Sequence, residues 1–279
     1  MRGPGGDVHD SADAMVVRAI EAIGRLFGGV LSEVGAIGLF VLKTVSVGLT
    51  TLPNLRRFAD ECYNIGIQSL FVVCSVGAFI GMSTSLVGYA TLRDLGAQNL
   101  VGIFIGIATV RELGPAVAAF MVAAKAGSGM AAHIATMRVK EQIDAMEVQA
   151  VDPFWYLIVP RFLAIMVVLP ILVIWNDFFT LATGYLIAVV QLKVNSGAVM
   201  QNLLDTVSTD DFWKGMVKGW VLAVFIVSIC TFKGYTCEPG ALGVGKATNQ
   251  AVVYCIAILI IINFFLSEWL YGGIGLRGM

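Results

Sequence analysis

The stretch "YNIGIQSLFVVCSVGAFIGMSTSLVGYATL", residues 63–92, contains no Asp, Glu, Lys, Arg or His. A helix that crosses the hydrocarbon core of a bilayer needs about 20 mainly apolar residues, since each residue adds about 1.5 Å of length. A helix of a globular protein averages only about 10–14 residues and usually has a polar face. The stretch therefore predicts a membrane-spanning helix.

Four further segments are long and apolar enough to cross a membrane. They run from about Gln98 to Ala126, from about Arg161 to Leu192, from about Phe212 to Phe232 and from about Thr248 to Tyr271. Unlike the first segment, each of these four contains charged residues. Together the five segments predict an all-α integral membrane protein.

The composition agrees with a membrane protein and excludes several other classes. Hydrophobic residues make up 58% of the 279 residues and charged residues 13%, whereas soluble domains average about half and about a quarter. The net charge of −1 offers no basic stripe for a nucleic-acid partner. The five cysteines form no C-x-x-C pair and the two histidines lie far apart, so we expect no metal site and no cofactor on this chain.

Residues 1–58 form an N-terminal region that precedes the five-span domain at residues 59–279. Hydrophobic residues recur there at helical spacing, with charges on another face, which is typical of a helix in the membrane interface. These hydrophobic residues are Val16, Ile20, Ile23, Phe27 and Val30. The following run, "VGAIGLFVLKTVSVGLTTLP", is interrupted by Lys43 and ends at Pro53, so we expect an interfacial or half-inserted elbow.

The positions of Lys and Arg predict the orientation, because cytoplasmic loops carry an excess of them. The N-terminal region and the connections after the second and fourth spans contain Arg18, Arg25, Arg56, Arg57, Arg138, Lys140, Arg161, Lys233 and Lys246. The opposite connections contain only Arg93 and Lys193, beside several Asp residues. We therefore expect a cytoplasmic N-terminus and, after five spans, a C-terminus on the other side.

The connection after the second span is unusually charged. The stretch "TMRVKEQIDAMEVQAVD", residues 136–152, contains six charged residues and is followed by Pro153, which ends a helix. On a helix, Lys140 and Asp144 are placed to support each other at i, i+4. The pattern fits a solvated linker, and it also fits a rigid helix that a soluble motor protein could grip.

Two long motifs carry a resemblance to a known family. The first, "RELGPAVAAFMVAAKAGSGMAAHIATMRVKEQIDAMEVQAVDPFWYLIVPRFLA", begins at Arg111, and the second, "GYTCEPGALGVGKATNQAVV", begins at Gly234. Both are similar to signatures of the MlaE/YrbE family, the permease subunits of MCE-type lipid ABC transporters. The resemblance covers about residue 99 to the C-terminus. Lys125, His133 and Asn263 depart from the residues usual in that family.

The resemblance implies that residues 59–279 are a permease domain that pairs with a second copy or a close paralogue. It implies phospholipid transport between the inner membrane and a ring of MCE domains in the periplasm. The C-terminus would then lie in the periplasm. It also implies that ATP and Mg²⁺ bind a separate cytoplasmic ABC ATPase, so this chain is not an enzyme. A groove of that ATPase would receive residues 136–152 as a coupling helix, through Arg138, Lys140, Glu141, Asp144 and Glu147.

The motif "RELGP" places Arg111 and Glu112 near the middle of the second span, where a charge costs at least about 2.5 kcal/mol. Pro115 cannot donate a hydrogen bond to the Arg111 carbonyl, so we expect a loosened or kinked helix at this point. Arg111 and Glu112 either pair with other spans and hold the bundle together, or they line the lipid cavity. In the second case Arg111 would bind a lipid phosphate.

Asp177 in the third span and Lys218 in the fourth are further candidates for this cavity. Asp177 is a possible counter-charge for Arg111 or Lys218. Lys218 shares a helix face with Lys214, so both fit a position where they extend to the lipid headgroups. The resemblance implies instead that Lys218 lines the substrate cavity.

Two other functional classes fit the sequence less well than transport by an ABC permease. An ion- or proton-coupled carrier or channel could use Arg111, Glu112 and Asp177 as a relay, but five spans cannot form two equal inverted halves. An intramembrane enzyme has only Ser128 and His133 to offer, and these do not align on a helix. The sequence "GALGVGKA" imitates a nucleotide-binding loop but has Ala247 at the hydroxyl position.

Overall fold

The computed structural model describes residues 32–33, 35–48 and 55–272. The chain divides into two units, Met1–Lys43 and Thr44–Met279, and the second contains all the long helices. Helix α1, Gly35–Gly48, is short and apolar. The interfacial helix expected over residues 16–30 lies outside the described residues.

Five helices are long and apolar enough to cross a membrane, which confirms the predicted architecture. They are α2 (Leu55–Asp94), α3 (Gln98–Val139), α5 (Phe154–Gln191), α7 (Thr209–Tyr235) and α8 (Ala241–Tyr271). Two shorter helices lie between them: α4 (Gln142–Val148) precedes α5, and α6 (Ser196–Thr206) precedes α7. The described residues contain no strand, so the all-α class is also confirmed.

The spanning helices are longer than the apolar segments that predicted them. Helix α2 begins at Leu55 and not near Tyr63, and α3 continues to Val139 instead of ending near Ala126. Backbone hydrogen bonding can continue beyond the apolar segment, so a helix need not end where its sequence becomes polar. As a result, the helix expected over residues 136–152 is reduced to α4.

Small residues allow α2 to pack closely against α5. The buried positions recur about every four residues along α2: Ile65, Ser69, Val73, Gly77, Gly81, Ser85 and Gly88. Thr180 Oγ1 donates a hydrogen bond to the Gly77 carbonyl at 3.0 Å, and a Cβ at Gly81 would overlap the Thr180 carbonyl. Such close approach, with a hydroxyl bonded across the interface, is typical of helices that associate inside a membrane.

Helix α7 supplies much of the centre of the bundle, and the outer faces of α2 and α8 are apolar and exposed. Fully buried residues of α7 include Leu222, Ala223, Ile226, Val227 and Cys230. Large exposed apolar residues on the outer helices include Phe71, Phe79, Phe264, Phe265 and Trp269. An apolar surface of this kind needs cover from lipid or from another protein.

Helix α3 contains two π turns, Thr109–Leu113 and Ala123–Gly127. A π turn widens the helix locally by one residue, and such turns are frequent at functional sites. Each turn contains one basic residue, Arg111 in the first and Lys125 in the second. The first turn overlaps the "RELGP" motif, where Pro115 predicted a loosened or kinked helix.

Candidate functional site

Lys218 of α7 is completely buried and joins three helices. Its Nζ donates to the Arg111 carbonyl oxygen at 3.0 Å, to Glu112 Oε2 at 3.0 Å and to Ser267 Oγ at 2.6 Å. Pro115 leaves the Arg111 carbonyl without its usual backbone donor, since proline has no N–H. An ammonium group has three donors, and these three acceptors match them. Lys218 therefore supplies the missing donor and ties the first π turn to α7 and α8.

The Arg111 side chain pairs with Asp211, near the beginning of α7. Nη2 donates to Oδ2 at 3.1 Å, and Nε lies 3.0 Å from Oδ1. Ser208, the N-cap of α7, accepts a hydrogen bond from the Asp211 backbone N–H at 3.1 Å and donates one to Oδ2 at 3.0 Å. These two bonds hold the carboxylate that binds Arg111, and a charge-assisted pair of this kind is stronger than a neutral one.

Helix α8 closes the network from the other side. Asn263 Nδ2 donates to Glu112 Oε2 at 3.2 Å. The Tyr271 ring centroid lies 5.3 Å from the Arg111 guanidinium carbon and 5.4 Å from Lys214 Nζ. Distances below about 6 Å allow a cation to interact with the face of a ring. Lys214 therefore stands beside the tyrosine, whereas Lys218, one turn later, is inside the network.

Asp177 lies outside this network, which corrects the expectation that it is the counter-charge of Arg111 or Lys218. Arg111 pairs with Asp211, and Lys218 pairs with Glu112. The physical reason is the direction in which the side chains point. Two residues at a similar depth in neighbouring helices need not face each other. Of the four predicted cavity residues, three therefore come together: Arg111, Glu112 and Lys218. The fourth, Asp177, contacts α3 at Gly114 instead.

Asp177 and its neighbour Asn176 hold the turn that follows Thr109–Leu113. Asn176 Nδ2 donates to the Gly114 carbonyl at 3.1 Å. Asp177 is 9% exposed, and its Oδ1 lies so close to Gly114 that a Cβ there would overlap it. The absence of a side chain at Gly114 is therefore what allows α5 to approach α3 at this depth.

Helix α4 is fastened to the bundle at two places. Ile143 is fully buried, and Tyr235 Oη, at the end of α7, donates to Glu147 Oε1 at 3.3 Å. The Tyr235 ring also lies 5.5 Å from the Phe154 ring at the beginning of α5. The short helix is thereby linked to the fourth span, which in turn contacts the third, as well as to the second, which it follows.

The charged residues of this connection do not share one helix, which corrects the expected support between Lys140 and Asp144. The chain turns between α3 and α4, and Glu141 has a left-handed backbone with φ of 55°. The turn brings Arg138 to Asp144 instead, with Nη1 donating to Oδ1 at 2.6 Å. Glu141, Asp144 and Glu147 are exposed, and so is the apolar Val148, at 88%.

The Gly-rich connection between α7 and α8 does not have the geometry of a nucleotide-binding loop. Most of "GALGVGKA" belongs to the first turns of α8, and Lys246 Nζ pairs with Glu238 Oε1 at 2.8 Å. Gly240 has φ of 96°, a conformation that favours glycine. Burial, reinforced by the Glu238 carboxylate, raises the pKa of the neighbouring Cys237 thiol, so this cysteine is not an activated nucleophile.

Asp211 and Ser267 are site residues that sequence reasoning missed. A signal for Asp211 was present, since Ser208 and Asp211 form the S-x-x-D pattern that marks the beginning of a helix. Ser267 has no comparable signal, because a serine in an apolar helix most often bonds its own backbone. It does so here, with Oγ donating to the Asn263 carbonyl at 2.8 Å while accepting from Lys218.

Five spans, paired charges inside the bundle and a short charged helix between the second and third spans describe a multi-span membrane protein. Comparison with known proteins identifies the family. Residues 58–269 match the family described as Permease MlaE. The chain therefore belongs to the MlaE permease family, and it is a multi-pass membrane protein.

Three relatives show how much of the chain is shared. A "Probable ABC transporter permease protein" of Rickettsia felis is 33% identical over 254 residues, which cover 91% of this chain and 98% of the relative. The "Intermembrane phospholipid transport system permease protein MlaE" of Haemophilus influenzae is 32% identical over 263 residues, or 92% and 99%. A probable permease of a Synechocystis species is 32% identical over 222 residues, or 80% and 84%.

Proposed function

We propose that this chain is the membrane subunit of an ATP-driven phospholipid transporter that moves lipid between the inner membrane and an MCE ring in the periplasm. ATP and Mg²⁺ bind a separate ABC ATPase, and this chain uses no cofactor of its own. The name of the Haemophilus influenzae relative supports phospholipid as the substrate. The observation that carries the proposal is α4, a short helix that is fixed to the bundle and exposes charge.

Movement of the ATPase reaches the spans through α4. Because Ile143 is fully buried and Glu147 contacts Tyr235 at 3.3 Å, α4 cannot shift without pushing its neighbours. The exposed residues around it offer both signs of charge and one apolar contact, Val148. The residues assigned to the ATPase contact are Arg138, Lys140, Glu141, Asp144 and Glu147.

Reversing the acidic charges on this surface tests the contact. We expect the double substitution Glu141→Lys and Asp144→Lys to weaken association with the ATPase about tenfold, a loss of about 1.4 kcal/mol. The reason is that complementary charges across an interface become repulsive when one side is reversed. Co-purification of the ATPase with the tagged chain measures the effect, and the amount of chain in the membrane fraction measures insertion.

One control separates docking from other effects. Asp205→Lys together with Asp210→Lys reverses two exposed acidic residues outside this connection. If the Glu141 and Asp144 variant retains full ATPase association, α4 is not the docking element.

Arg111 is the residue proposed to contact the lipid phosphate. Its side chain keeps 29% exposure although it pairs with Asp211, and the Glu112 side chain keeps 45%. A guanidinium group has five donors, so it can serve a phosphate and a carboxylate together. Lys218, with no exposure, braces the two residues from within, and Asp177 holds the adjoining turn.

Removing the Arg111 side chain tests this role. We expect Arg111→Ala to lower the phospholipid recovered with the purified complex several-fold, because a charge-assisted contact to phosphate is lost. Mass spectrometry of the extracted lipid measures the change. Lys214→Ala is the matched control, since it removes a nearby cation that stands over the same Tyr271 ring. Equal lipid recovery from both variants would leave Arg111 with a structural role alone.

The complete transporter contains a second permease copy, identical or a close paralogue, and an MCE-domain protein at the end opposite α4. The N-terminus is cytoplasmic and the C-terminus periplasmic, as the basic residues near α4 predict. An ion-coupled carrier is not favoured. The relatives are ABC permeases, and two of the three charges that a relay would use are held in pairs, Arg111 by Asp211 and Glu112 by Lys218.

A further inference from the structure

A polar cleft opens between α2, α3 and α5 at the end of the bundle that carries α4. It consists of two adjoining cavities of about 660 Å³ and about 310 Å³, which share Glu61, His133 and Arg161 as lining residues. Gln142, the first residue of α4, lines the larger cavity. None of the residues assigned above to the lipid or to the ATPase lines either cavity, so the cleft is a separate feature.

Arg161 of α5 lies where the two cavities meet and is only 3% exposed. Its Nε donates to Glu61 Oε1 at 3.0 Å, and its Nη2 contacts His133 Nδ1 at 2.8 Å. The third nitrogen, Nη1, is buried and has no hydrogen-bond partner in the described part of the chain. A buried donor without a partner is costly, and more so on a charged group. The Nη1 group of Arg161 therefore needs an acceptor, and the described residues do not supply one.

His133 provides a second donor in the cleft. A guanidinium group can only donate, so the bond from Arg161 requires Nδ1 of His133 to be the acceptor. In the neutral imidazole the proton then resides on Nε2. The Nε2–H group of His133 is not used by Arg161. It belongs to a side chain that lines both cavities.

The side chains around the cleft make it electropositive. Four basic side chains line it, against two carboxylates: Arg56, Arg57, Lys125 and Arg161, against Asp60 and Glu61. Glu61 is already engaged by Arg161. Lys125 is exposed and comes from the second π turn of α3. The excess of positive charge, with an arginine at its centre, suits a phosphate group, which guanidinium binds with parallel hydrogen bonds.

Aromatic residues beside the cleft indicate that it faces the headgroup region of the membrane. Tyr156, at the beginning of α5, lines the larger cavity beside the Arg57 guanidinium, whose carbon lies 3.3 Å from the ring centroid. Trp155 is the next residue toward α4. Trp and Tyr at the end of a spanning helix mark the boundary between hydrocarbon and water.

We propose that this cleft binds a phosphate group, with Arg161 as its central donor and His133 and Lys125 as further donors. The phosphate is that of a phospholipid headgroup in the adjacent leaflet, or free phosphate from solution. The proposal rests on the membrane-spanning fold and does not require that Arg111 binds lipid.

A titration of the purified full-length chain tests the proposal. Delipidated protein in detergent is titrated calorimetrically with dihexanoylphosphatidylglycerol and, separately, with inorganic phosphate. We expect Lys125→Gln to weaken binding about tenfold, because one charged donor is lost. Lys246→Gln is the matched control, since it also removes one exposed lysine but from the Glu238 pair outside the cleft. Repeating the titration with Arg111→Ala removes any contribution from the other site.

A second variant tests the cleft without changing its charge. Arg161→Gln would leave Glu61 without its cation and could prevent folding, so Gly129→Met is used instead. Gly129 lines the smaller cavity, and a Cβ there meets no atom within 4 Å. A methionine side chain can therefore enter the cleft and occupy the space of the ligand. We expect a loss of about tenfold in affinity, with a thermal stability no lower than that of the unsubstituted chain.

The two ligands distinguish the source of the phosphate. Tighter binding of the lipid than of inorganic phosphate identifies a headgroup site, and equal affinities identify a site for free phosphate. Either result supports the proposal if Lys125→Gln and Gly129→Met weaken binding and Lys246→Gln does not. Absence of binding to the unsubstituted chain, or equal affinity in all variants, overturns it.

Discussion

The two π turns of α3 each contain one basic residue, but their surroundings differ. At Thr109–Leu113, the Arg111 side chain is bound by Asp211 and its carbonyl by Lys218. At Ala123–Gly127, Lys125 is exposed and lines a cleft. A π turn by itself therefore only presents a polar group. Whether that group becomes a structural brace or part of an open site depends on what the neighbouring helices place beside it.

The glycines that follow the two turns show the same contrast. At Gly114 a Cβ would overlap Asp177 Oδ1, whereas at Gly129 a Cβ would meet nothing within 4 Å. The first turn is therefore packed tightly on its α5 side, and the second leaves space on the face that carries Gly129. Substitutions at each turn can measure how far this difference extends to stability.

The largest effect is expected from Lys218→Ala at the first turn. Removing the ammonium group leaves the Arg111 carbonyl, Glu112 and Ser267 without their shared donor. Breaking a buried ion pair by removing one partner typically costs about 3–5 kcal/mol. Because the Glu112 side chain that remains keeps 45% exposure, we expect a loss of stability at the lower end of this range, about 3 kcal/mol. Thermal unfolding of the purified chain in detergent, followed by circular dichroism, measures it.

Lys214→Ala is the control for this substitution, since Lys214 lies one turn earlier on α7 and is partly exposed. We expect its effect on the unfolding temperature to be small, because an exposed charge contributes about 1 kcal/mol or less. Similar losses from the two substitutions would mean that the network around Lys218 does not brace the first turn.

A smaller loss is expected from Gly114→Ala. The added methyl group would displace the Asp177 carboxylate, which is 9% exposed and has little room to move. Overpacking of this kind costs about 1–3 kcal/mol. A lower unfolding temperature in the same assay would support close packing at the first turn. A second substitution, Gly114→Ala with Asp177→Ala, should recover part of the loss if the clash is the cause.

Much of the fold could be predicted from the sequence, because long apolar runs have few alternatives to a membrane helix. Pro115 also predicted, by its chemistry alone, that the helix would loosen near Arg111, and a π turn lies there. The sequence did not indicate that Lys218 would bind the Arg111 carbonyl, since helical spacing grouped it with Lys214. Which helix lies opposite depends on packing between spans, and periodicity within one span carries no information about it.

The pairings that failed share a physical cause. The expected support between Lys140 and Asp144 assumed one continuous helix, but the left-handed residue Glu141 turns the chain between them. The expected role of Asp177 assumed that similar depth implies contact, and the π turn changes the direction of side chains along α3. Both errors came from treating a helix as regular at the points where this chain interrupts it.

The smallest effect, and one of opposite sign, is expected from Gly129→Ala at the second turn. A glycine inside a helix costs about 0.5–1 kcal/mol relative to alanine, because the unfolded chain has more freedom to lose. Gly129 lies in the helical segment Ser128–Val139 and has free space around its Cα, so the methyl group gains helix propensity without a clash. We expect a slightly higher unfolding temperature than that of the unsubstituted chain. Gly114→Ala provides the matched comparison, because the chemical change is identical and only the surroundings differ. If both substitutions lower the unfolding temperature alike, the second turn is as tightly packed as the first, and the contrast between a filled and an open π turn is wrong.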